Sequence, residues 1–163
     1  MDTDQAIVSA LEVLNRGRIP RRPQPHAAAS IARVDACSLL GPADVEAALG
    51  RKVPGEPTFA NWECNWLSGP KEVHVAFDRD DWPMDDEDRR PLTIGTRTAY
   101  EQQGTSGWPD ACQVEIAYRR IGPERQWVES VELYVERDDT TPAENCAEAE
   151  ALAKVVSDRL PAG

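Results

Sequence analysis

The alternation of hydrophobic and polar residues predicts a series of strands through the middle of the chain. Hydrophobic residues at every second position turn one face of a strand toward a core and leave the other face to water. Four segments follow this pattern, with these residues on one face: Trp62, Cys64 and Trp66; Val73, Val75 and Phe77; Cys112, Val114, Ile116 and Tyr118; and Trp127, Val131, Leu133 and Val135. A weaker pattern predicts a short strand around Ile94 and Gly95, and the turn Ser68-Gly69-Pro70 makes the first two strands a hairpin.

Two helices are predicted on either side of these strands. Pro42 at a first helical position and Gly50 at a helix end predict a short helix over 42–49. The capping-box pattern Thr141-Pro142-Ala143-Glu144 predicts a second helix over about 143–160. Its buried stripe would consist of Cys146, Ala149, Ala153, Val156 and Leu160. Because the strands follow one another at hairpin spacing, we expect an α+β fold, an antiparallel sheet of four or five strands with two helices packed on one face.

The 163 residues divide into three predicted parts. Residues 1–15 are predicted to form an amphipathic helix. Residues 6–20 resemble residues 147–161 at a shift of 141 positions, and the helix is interpreted as the tail of a preceding repeat. Residues 16–30 are rich in proline and arginine and are typical of a linker. Residues 31–161 form the α+β domain.

The charge of the chain limits its partners. Eighteen basic residues against 29 acidic ones give a formal net charge of -11, which repels nucleic acid and anionic lipid alike. No apolar run approaches the roughly 20 residues of a membrane helix, and Met1-Asp2-Thr3-Asp4 does not resemble the start of a signal peptide. We therefore expect a soluble chain with no nucleic-acid partner and no direct membrane insertion.

The four cysteines, Cys37, Cys64, Cys112 and Cys146, lie 27, 48 and 34 residues apart. None belongs to the C-x-x-C pair that zinc ribbons and redox motifs use. An even number of widely spaced cysteines predicts two disulfides, with three connectivities open, and we expect pairing in sequence order. Such bonds persist in oxidising surroundings, which favours an extracellular or cell-envelope protein. The alternative is four buried free thiols in a cytosolic protein.

Candidate catalytic groups are few. The two histidines are His26, in the predicted linker, and His74, on the polar face of a predicted strand, where a half-exposed strand residue is the simpler interpretation. The chain has no G-x-S-x-G elbow, phosphate loop or H-E-x-x-H helix. We predict no catalytic residue, no metal and no cofactor.

Residues 78–90 are strongly acidic, and we expect them to contribute nothing to a core. Their carboxylates are suitable ligands for Ca²⁺. An EF-hand loop started at Asp78, however, would place Pro83 where the turn glycine belongs and Arg89 where the bidentate glutamate belongs. A solvated acidic loop is the favoured interpretation.

Three residues are candidate ligand contacts: Trp82, Trp108 and Arg97. Trp82 lies amid acidic charge, where an aromatic residue often marks a contact surface. Trp108 lies in a segment that we predict as a flexible loop, a common location of binding residues. Arg97, with Arg119 and Arg120, has the charge to bind an anion, although exposed arginines on strands are usually solvated.

The cysteine motifs, taken together, resemble a family. Cys37-Ser38-Leu39-Leu40 precedes a short helix ending in glycine, and Cys64-Asn65-Trp66, Cys112, Cys146-Ala147-Glu148-Ala149 and Leu160-Pro161 follow. Over about residues 31–161 this arrangement resembles the actinobacterial exported four-cysteine domains of small envelope lipoproteins and of the extracellular sensor regions of membrane Ser/Thr kinases. The resemblance implies an α+β sensor-like domain with no established catalysis.

The expected function is that of a non-catalytic ligand-binding or sensor module of the cell envelope. It would present a groove between its sheet and helices to a small envelope ligand or a protein, and the chain would be a fragment of a membrane-anchored protein. A secreted enzyme that uses His74 and the acidic loop is a second hypothesis, and a structural spacer is a third. Residues that converge around His74 would favour the enzyme. A cleft lined by Trp108 and aliphatic residues would favour the binding module, and a featureless surface would favour the spacer.

Overall fold

The computed structural model describes residues 29–58, 61–84, 86–105, 108–122 and 124–162. The predicted helix over 1–15 and nearly all of the linker over 16–30 lie outside the described residues. Ala29 and Ser30, at the end of that linker, already contact the domain, since Ser30 is buried and the Ala29 carbonyl accepts a hydrogen bond from Tyr118.

The described residues form one antiparallel sheet of seven strands. The strands are β1 (Glu56–Thr58), β2 (Glu63–Ser68), β3 (Lys71–Asp81), β4 (Arg90–Ile94), β5 (Arg97–Thr105), β6 (Trp108–Ile121) and β7 (Trp127–Arg137). Their order across the sheet is β1-β2-β3-β7-β6-β5-β4. The antiparallel α+β class is confirmed, but the expected four or five strands are too few.

The additional strands have little hydrophobic patterning of their own. β1 has three residues and lies at one edge of the sheet, where β2 is its single neighbour among the described strands. β4 and β5 form a hairpin that turns at Gly95, whose φ of 63° favours glycine. The short strand predicted around 94–95 is therefore the end of β4, at Ile94, and the start of this turn. These segments become strands because longer neighbours satisfy their backbone hydrogen bonds, which a periodicity search does not detect.

Both predicted helices are present and begin and end close to the predicted residues. Helix α1 (Pro42–Leu49) ends at Gly50, which has a φ of 75°, and helix α2 (Pro142–Arg159) begins with the Thr141–Glu144 capping box. Two 3-10 turns, Ile31–Arg33 and Ala36–Ser38, precede α1.

The core lies between the helices and one face of the sheet. The sheet contributes Val73, Val75, Phe77, Val114, Ile116, Val131, Leu133 and Val135, and the helices contribute Val45, Ala48, Leu49, Ala149, Leu152, Ala153 and Val156. These side chains fill the space where a ligand groove was expected. Trp62 and Trp127 are not buried on the strand faces where they were predicted. Trp62 precedes β2 and is 37% exposed. Trp127 is 43% exposed and lies over Gly122, in the turn before β7.

Part of the acidic segment 78–90 also belongs to the folded core, which corrects our expectation. Residues 78–81 extend β3 and pair with β7, since a neighbouring strand supplies hydrogen bonds whatever the side chains are. Met84 is buried with Tyr100 and Val128 in a second small hydrophobic cluster. The remaining described acidic residues of the segment are largely exposed.

Two disulfides connect the sheet to the elements that cover it. Cys37 bonds to Cys64, which joins the second 3-10 turn to β2, and Cys112 bonds to Cys146, which joins β6 to α2. Pairing in sequence order is therefore confirmed, and no cysteine is left free.

Candidate functional site

A groove of about 250 Å³ opens where β6 ends beside the start of β5. Its lining includes Trp82, Arg97, Thr98, Tyr118, Arg119 and Arg120. Residues from three strands and from the segment after β3 meet here, although they are far apart in sequence. The arginine groove, as we call it, is defined by Arg97, Arg119 and Arg120.

An irregularity in β6 shapes the arginine groove. The pairing of β6 with β7 shifts between Ala117 and Arg119, so that Tyr118 has no register partner. An extra residue of this kind bends the strand and redirects its side chains. As a result, four consecutive residues, 117–120, line the groove, whereas regular alternation would turn every second side chain away.

Arg97 is held at the groove by neutral groups. Its guanidinium group donates to the carbonyl oxygens of Tyr118, at 3.5 Å, and Pro161, at 3.0 Å. The same group lies 5.2 Å from the centre of the Tyr118 ring, within the range of a cation–π contact. The side chain is therefore positioned, but its charge is not neutralised by these contacts.

Arg120 lies over the indole of Trp82, with its guanidinium carbon 4.4 Å from the ring centre. The Trp82 backbone N–H donates to the carbonyl oxygen of Gln126 at 2.7 Å, and the indole packs beside Met84 and Val128. Trp82 is therefore a fixed aromatic surface that orients Arg120.

Arg119 differs from the other two arginines because it has a buried acidic partner. Its Nε and Nη2 donate to Glu129 at 3.2 and 3.0 Å, and the Glu129 carboxylate also accepts from Ser30 Oγ and the Ile31 N–H. Burial by itself raises the pKa of Glu129, but the hydrogen bonds from Ser30, Arg119 and Ile31 outweigh burial, so the pKa lies below its usual 4.5. Arg119 and Glu129 thus join the groove to the point where the chain enters the domain.

The groove is locally basic in an acidic protein. Among the residues that the structure describes, no carboxylate lies within ion-pairing distance of Arg97 or Arg120, whereas Arg79, Arg89, Arg90, Arg119 and Arg159 all have one. Arg97 and Arg120 therefore bring two positive charges without an acidic partner into one groove of a chain with a net charge of -11; elsewhere among the described residues, Arg33, Arg51, Arg125 and Arg137 also lack one.

A second depression, of about 260 Å³, has the opposite charge. Leu67, Lys71, Glu72, Glu136 and Asp138 are among the residues that line it. Burial and the nearby carboxylates of Glu136 and Glu63 raise the pKa of Glu72. We call this depression the acidic groove, and it serves below as an internal comparison for the arginine groove.

His74, the predicted centre of a possible enzyme, lies on the polar face of β3. Its Nε2 is 3.1 Å from Glu63 Oε1, and its register partners are Asn65 and Tyr134. Burial lowers the pKa of His74 below 6.5 and outweighs the opposing effect of Glu63, so the imidazole is neutral at pH 7. Thr58, the register partner of Glu63, has a buried hydroxyl with no hydrogen-bond partner among the described residues, and neither the arginine groove nor the acidic groove is lined by His74, Glu63 or Thr58.

Carboxylates continue across this polar face. Glu132 and Glu115 are directly paired on β7 and β6. Burial, together with the charges of Glu115 and Asp78, raises the pKa of Glu132 to about 7. Burial also raises the pKa of Glu115, although Arg89 donates to it at 2.7 Å.

The three predicted ligand contacts lie in different places. Trp82 and Arg97 line the same groove. Trp108 is the first residue of β6, at the opposite end of the strand from the groove, and its side chain lies outside the described ones. Arg119 and Arg120, which the sequence analysis named with Arg97 for their charge, also line this groove. Tyr118 was not predicted, because a strand pattern cannot show the irregularity in β6 that brings it to the groove.

One described cluster has the residue types of a metal site. The ligand atoms of Glu101, Cys112 and Cys146 lie within 4.8 Å of one another. Both sulfur atoms, however, are joined in a disulfide and cannot supply the thiolate that binds a metal. We assign no metal to this cluster.

Comparison of the chain with family models, with curated proteins and with solved structures finds no match. Among the described helices, none combines the length and apolar character that crossing a bilayer would take.

Proposed function

We propose that this chain is a non-catalytic binding or sensor module of the cell envelope and that the arginine groove holds its ligand. The observation that carries the proposal is the meeting of Trp82 and Arg97 with Arg119 and Arg120 in one groove. Fixed aromatic and charged side chains around an opening are typical of small-molecule sites.

The two disulfides support a location outside the cytoplasm, because thiols are kept reduced inside most cells. The resemblance of the cysteine motifs to actinobacterial envelope lipoproteins and kinase sensor regions agrees with that location. A small envelope ligand, or an exposed group of a partner protein, is the proposed occupant.

The main alternative is an enzyme that uses His74. Its support is the 3.1 Å contact between His74 and Glu63, which resembles the base-and-orienter pairing of many active sites. Against it, neither the arginine groove nor the acidic groove is lined by His74 or Glu63. A spacer without a ligand is the third hypothesis, and the positioned side chains of the arginine groove argue against it.

An NMR screen tests these alternatives on the full chain. The ¹⁵N-labelled protein is titrated with a panel of small charged and neutral compounds, and amide shifts are mapped. We expect shifts at residues 96–98 and 117–120. Amide shifts centred on His74 and Glu63, together with turnover that His74→Asn abolishes, would favour the enzyme hypothesis. If no compound of the panel shifts the amides of either region, the spacer hypothesis is favoured.

A further inference from the structure

We propose that the ligand of the arginine groove is a small oxyanion, a phosphate or carboxylate group, bound by the guanidinium groups of Arg97 and Arg120. This inference rests on the proposed function and adds the chemistry of the ligand. The shared chemistry is a compact anion with at least two oxygen acceptors, which a planar guanidinium can bind through parallel hydrogen bonds.

The first step is charge. The chain has 29 acidic residues against 18 basic ones, so an unpaired arginine has many potential partners. Arg97 nevertheless contacts only carbonyl oxygens and a ring, and Arg120 contacts the Trp82 ring, among the residues that the structure describes. Two arginines that line one groove without a carboxylate repel each other, and an anion bound in that groove reduces the repulsion.

The second step is the supply of donors. A guanidinium carries five N–H groups and no acceptor. Arg97 uses Nη1 and Nη2 on two carbonyl oxygens, and Arg120 makes a face contact that leaves the edge of its guanidinium group, where the N–H groups lie, available. Thr96 and Thr98 add exposed hydroxyl groups to the lining of the groove. The groove therefore offers donors in excess of acceptors, which matches an oxyanion and not a cation.

The third step is fixation. A flexible surface arginine loses side-chain entropy when it binds an ion, which is one reason why exposed pairs contribute little. Here Tyr118 and Pro161 hold Arg97, and Trp82 holds Arg120, before any ligand arrives. Arg119 is also held in place, by its ion pair with Glu129.

The fourth step is size. The arginine groove, at about 250 Å³, is somewhat smaller than the sites of drug-sized ligands, which measure roughly 300 to 1,000 Å³. It has room for a phosphate, a small carboxylic acid or the terminal anionic group of a larger envelope molecule. The acidic groove has a similar volume but three carboxylates, so an anion should bind the arginine groove and be repelled by the acidic groove.

The experiment titrates the ¹⁵N-labelled full chain with inorganic phosphate, citrate and trimethyl phosphate at constant ionic strength. Trimethyl phosphate is the uncharged counterpart of phosphate. We expect phosphate, citrate or both to shift the amides of residues 96–98 and 117–120 and to leave residues 67–72 of the acidic groove unchanged. Binding by phosphate alone identifies a phosphate site, and binding by citrate alone a carboxylate site.

Variants assign the binding to the two arginines. Arg97→Gln with Arg120→Gln should weaken the anion at least about tenfold, since each loses charge-assisted hydrogen bonds. Arg120→Lys should keep part of the affinity, and Arg51→Gln, at an exposed arginine outside the groove, should not change it. Because Arg97 also holds Pro161, the exposed single variant Arg120→Gln tests the site if the double variant does not fold.

The results separate the two proposals. The oxyanion inference is overturned if trimethyl phosphate binds the groove as tightly as phosphate, or if Arg120→Gln leaves anion affinity unchanged. In the first case the groove still binds a ligand and the proposed function stands. If no charged or neutral compound shifts residues 96–98 and 117–120, the proposed function fails as well.

Discussion

Arg119 donates two hydrogen bonds, of 3.2 and 3.0 Å, to the Oε2 atom of Glu129, a carboxylate that is only 1% exposed. The same carboxylate accepts from Ser30 Oγ at 2.8 Å. A residue that lines the arginine groove is thus joined, through one buried charge, to the segment by which the chain enters the domain. A ligand that binds Arg119 would therefore also affect Glu129, the carboxylate that accepts the hydrogen bond from Ser30.

Replacing Glu129 by Gln tests this contact. We expect the free energy of unfolding at pH 7 to fall by about 2 to 4 kcal/mol, because Arg119 and Arg79 lose a buried anion while the shape is kept. The measurement is urea unfolding, with the exposed Glu124→Gln as control. A loss below about 0.5 kcal/mol would mean that the pair contributes nothing measurable.

The pH dependence of the Glu129 effect has a defined sign. Since the pKa of Glu129 is lower in the folded chain than its usual 4.5, the carboxylate stabilises the fold above that value. The contribution is lost as pH falls through the folded pKa. The difference between the wild-type chain and Glu129→Gln should therefore shrink in acid, and a difference that grows in acid would contradict the assignment.

Removing the Cys112–Cys146 disulfide should cost about 3 to 4 kcal/mol of unfolding free energy. The double variant Cys112→Ala/Cys146→Ala opens a loop closed over a sequence separation of 34 residues and frees α2 from β6. Chemical unfolding measures the loss. Thiol titration of the denatured, unreduced wild type should find almost no free thiol, and four equivalents would contradict both disulfides and the proposed location.

Glu132 should make the fold less stable as pH rises. Its pKa of about 7 in the folded chain exceeds the usual 4.5, so the neutral acid is favoured by folding and its ionisation destabilises the sheet between about pH 4.5 and 7. Glu132→Gln should be more stable than wild type at pH 8 by roughly 1 to 3 kcal/mol, with a smaller gain at pH 5. Urea unfolding at both values, with the exposed Glu124→Gln as control, measures the difference.

A gain for Glu132→Gln that is equal at pH 5 and pH 8 would show that packing, and not ionisation, is responsible. A carbon-detected NMR titration of the Glu132 side chain gives the pKa directly. A midpoint near 4.5 would remove the basis of the prediction.

Trp82 should contribute to anion binding through Arg120. Trp82→Ala removes the ring that orients the guanidinium group, and we expect phosphate or citrate affinity to fall about two- to fivefold, the equivalent of an exposed cation–π contact. Trp82→Phe keeps a ring and should lose less. Trp127→Ala, an exposed tryptophan outside the groove lining, is the control. Equal affinities for Trp82→Ala and wild type would leave the indole without a role in the site.

The most accurate sequence predictions concern local interactions. The helix ends were predicted from residues that act over a short distance along the chain: the proline and glycine at the ends of α1 and the Thr141–Glu144 capping box of α2. Local pattern also predicts the hairpin of β2 and β3 and the strands β6 and β7. Their alternating hydrophobic residues show which face of each strand is buried, without knowledge of the neighbouring strand. The β4–β5 hairpin is not predictable in this way, since its strand character depends on pairing with β6.

By itself, the sequence determined the α+β class and the positions of the helices and central strands, because these depend on spacing and on residue chemistry along the chain. It also indicated two disulfides, but their pairing was established by the structure. Only the tertiary structure decided that Trp82 and Arg97 share a groove with Arg120. Their meeting depends on the register of β3, β5 and β6 around β7 and on the extra residue at Tyr118. Register between distant strands is fixed by the packing of the whole sheet against its helices, and no local pattern contains it.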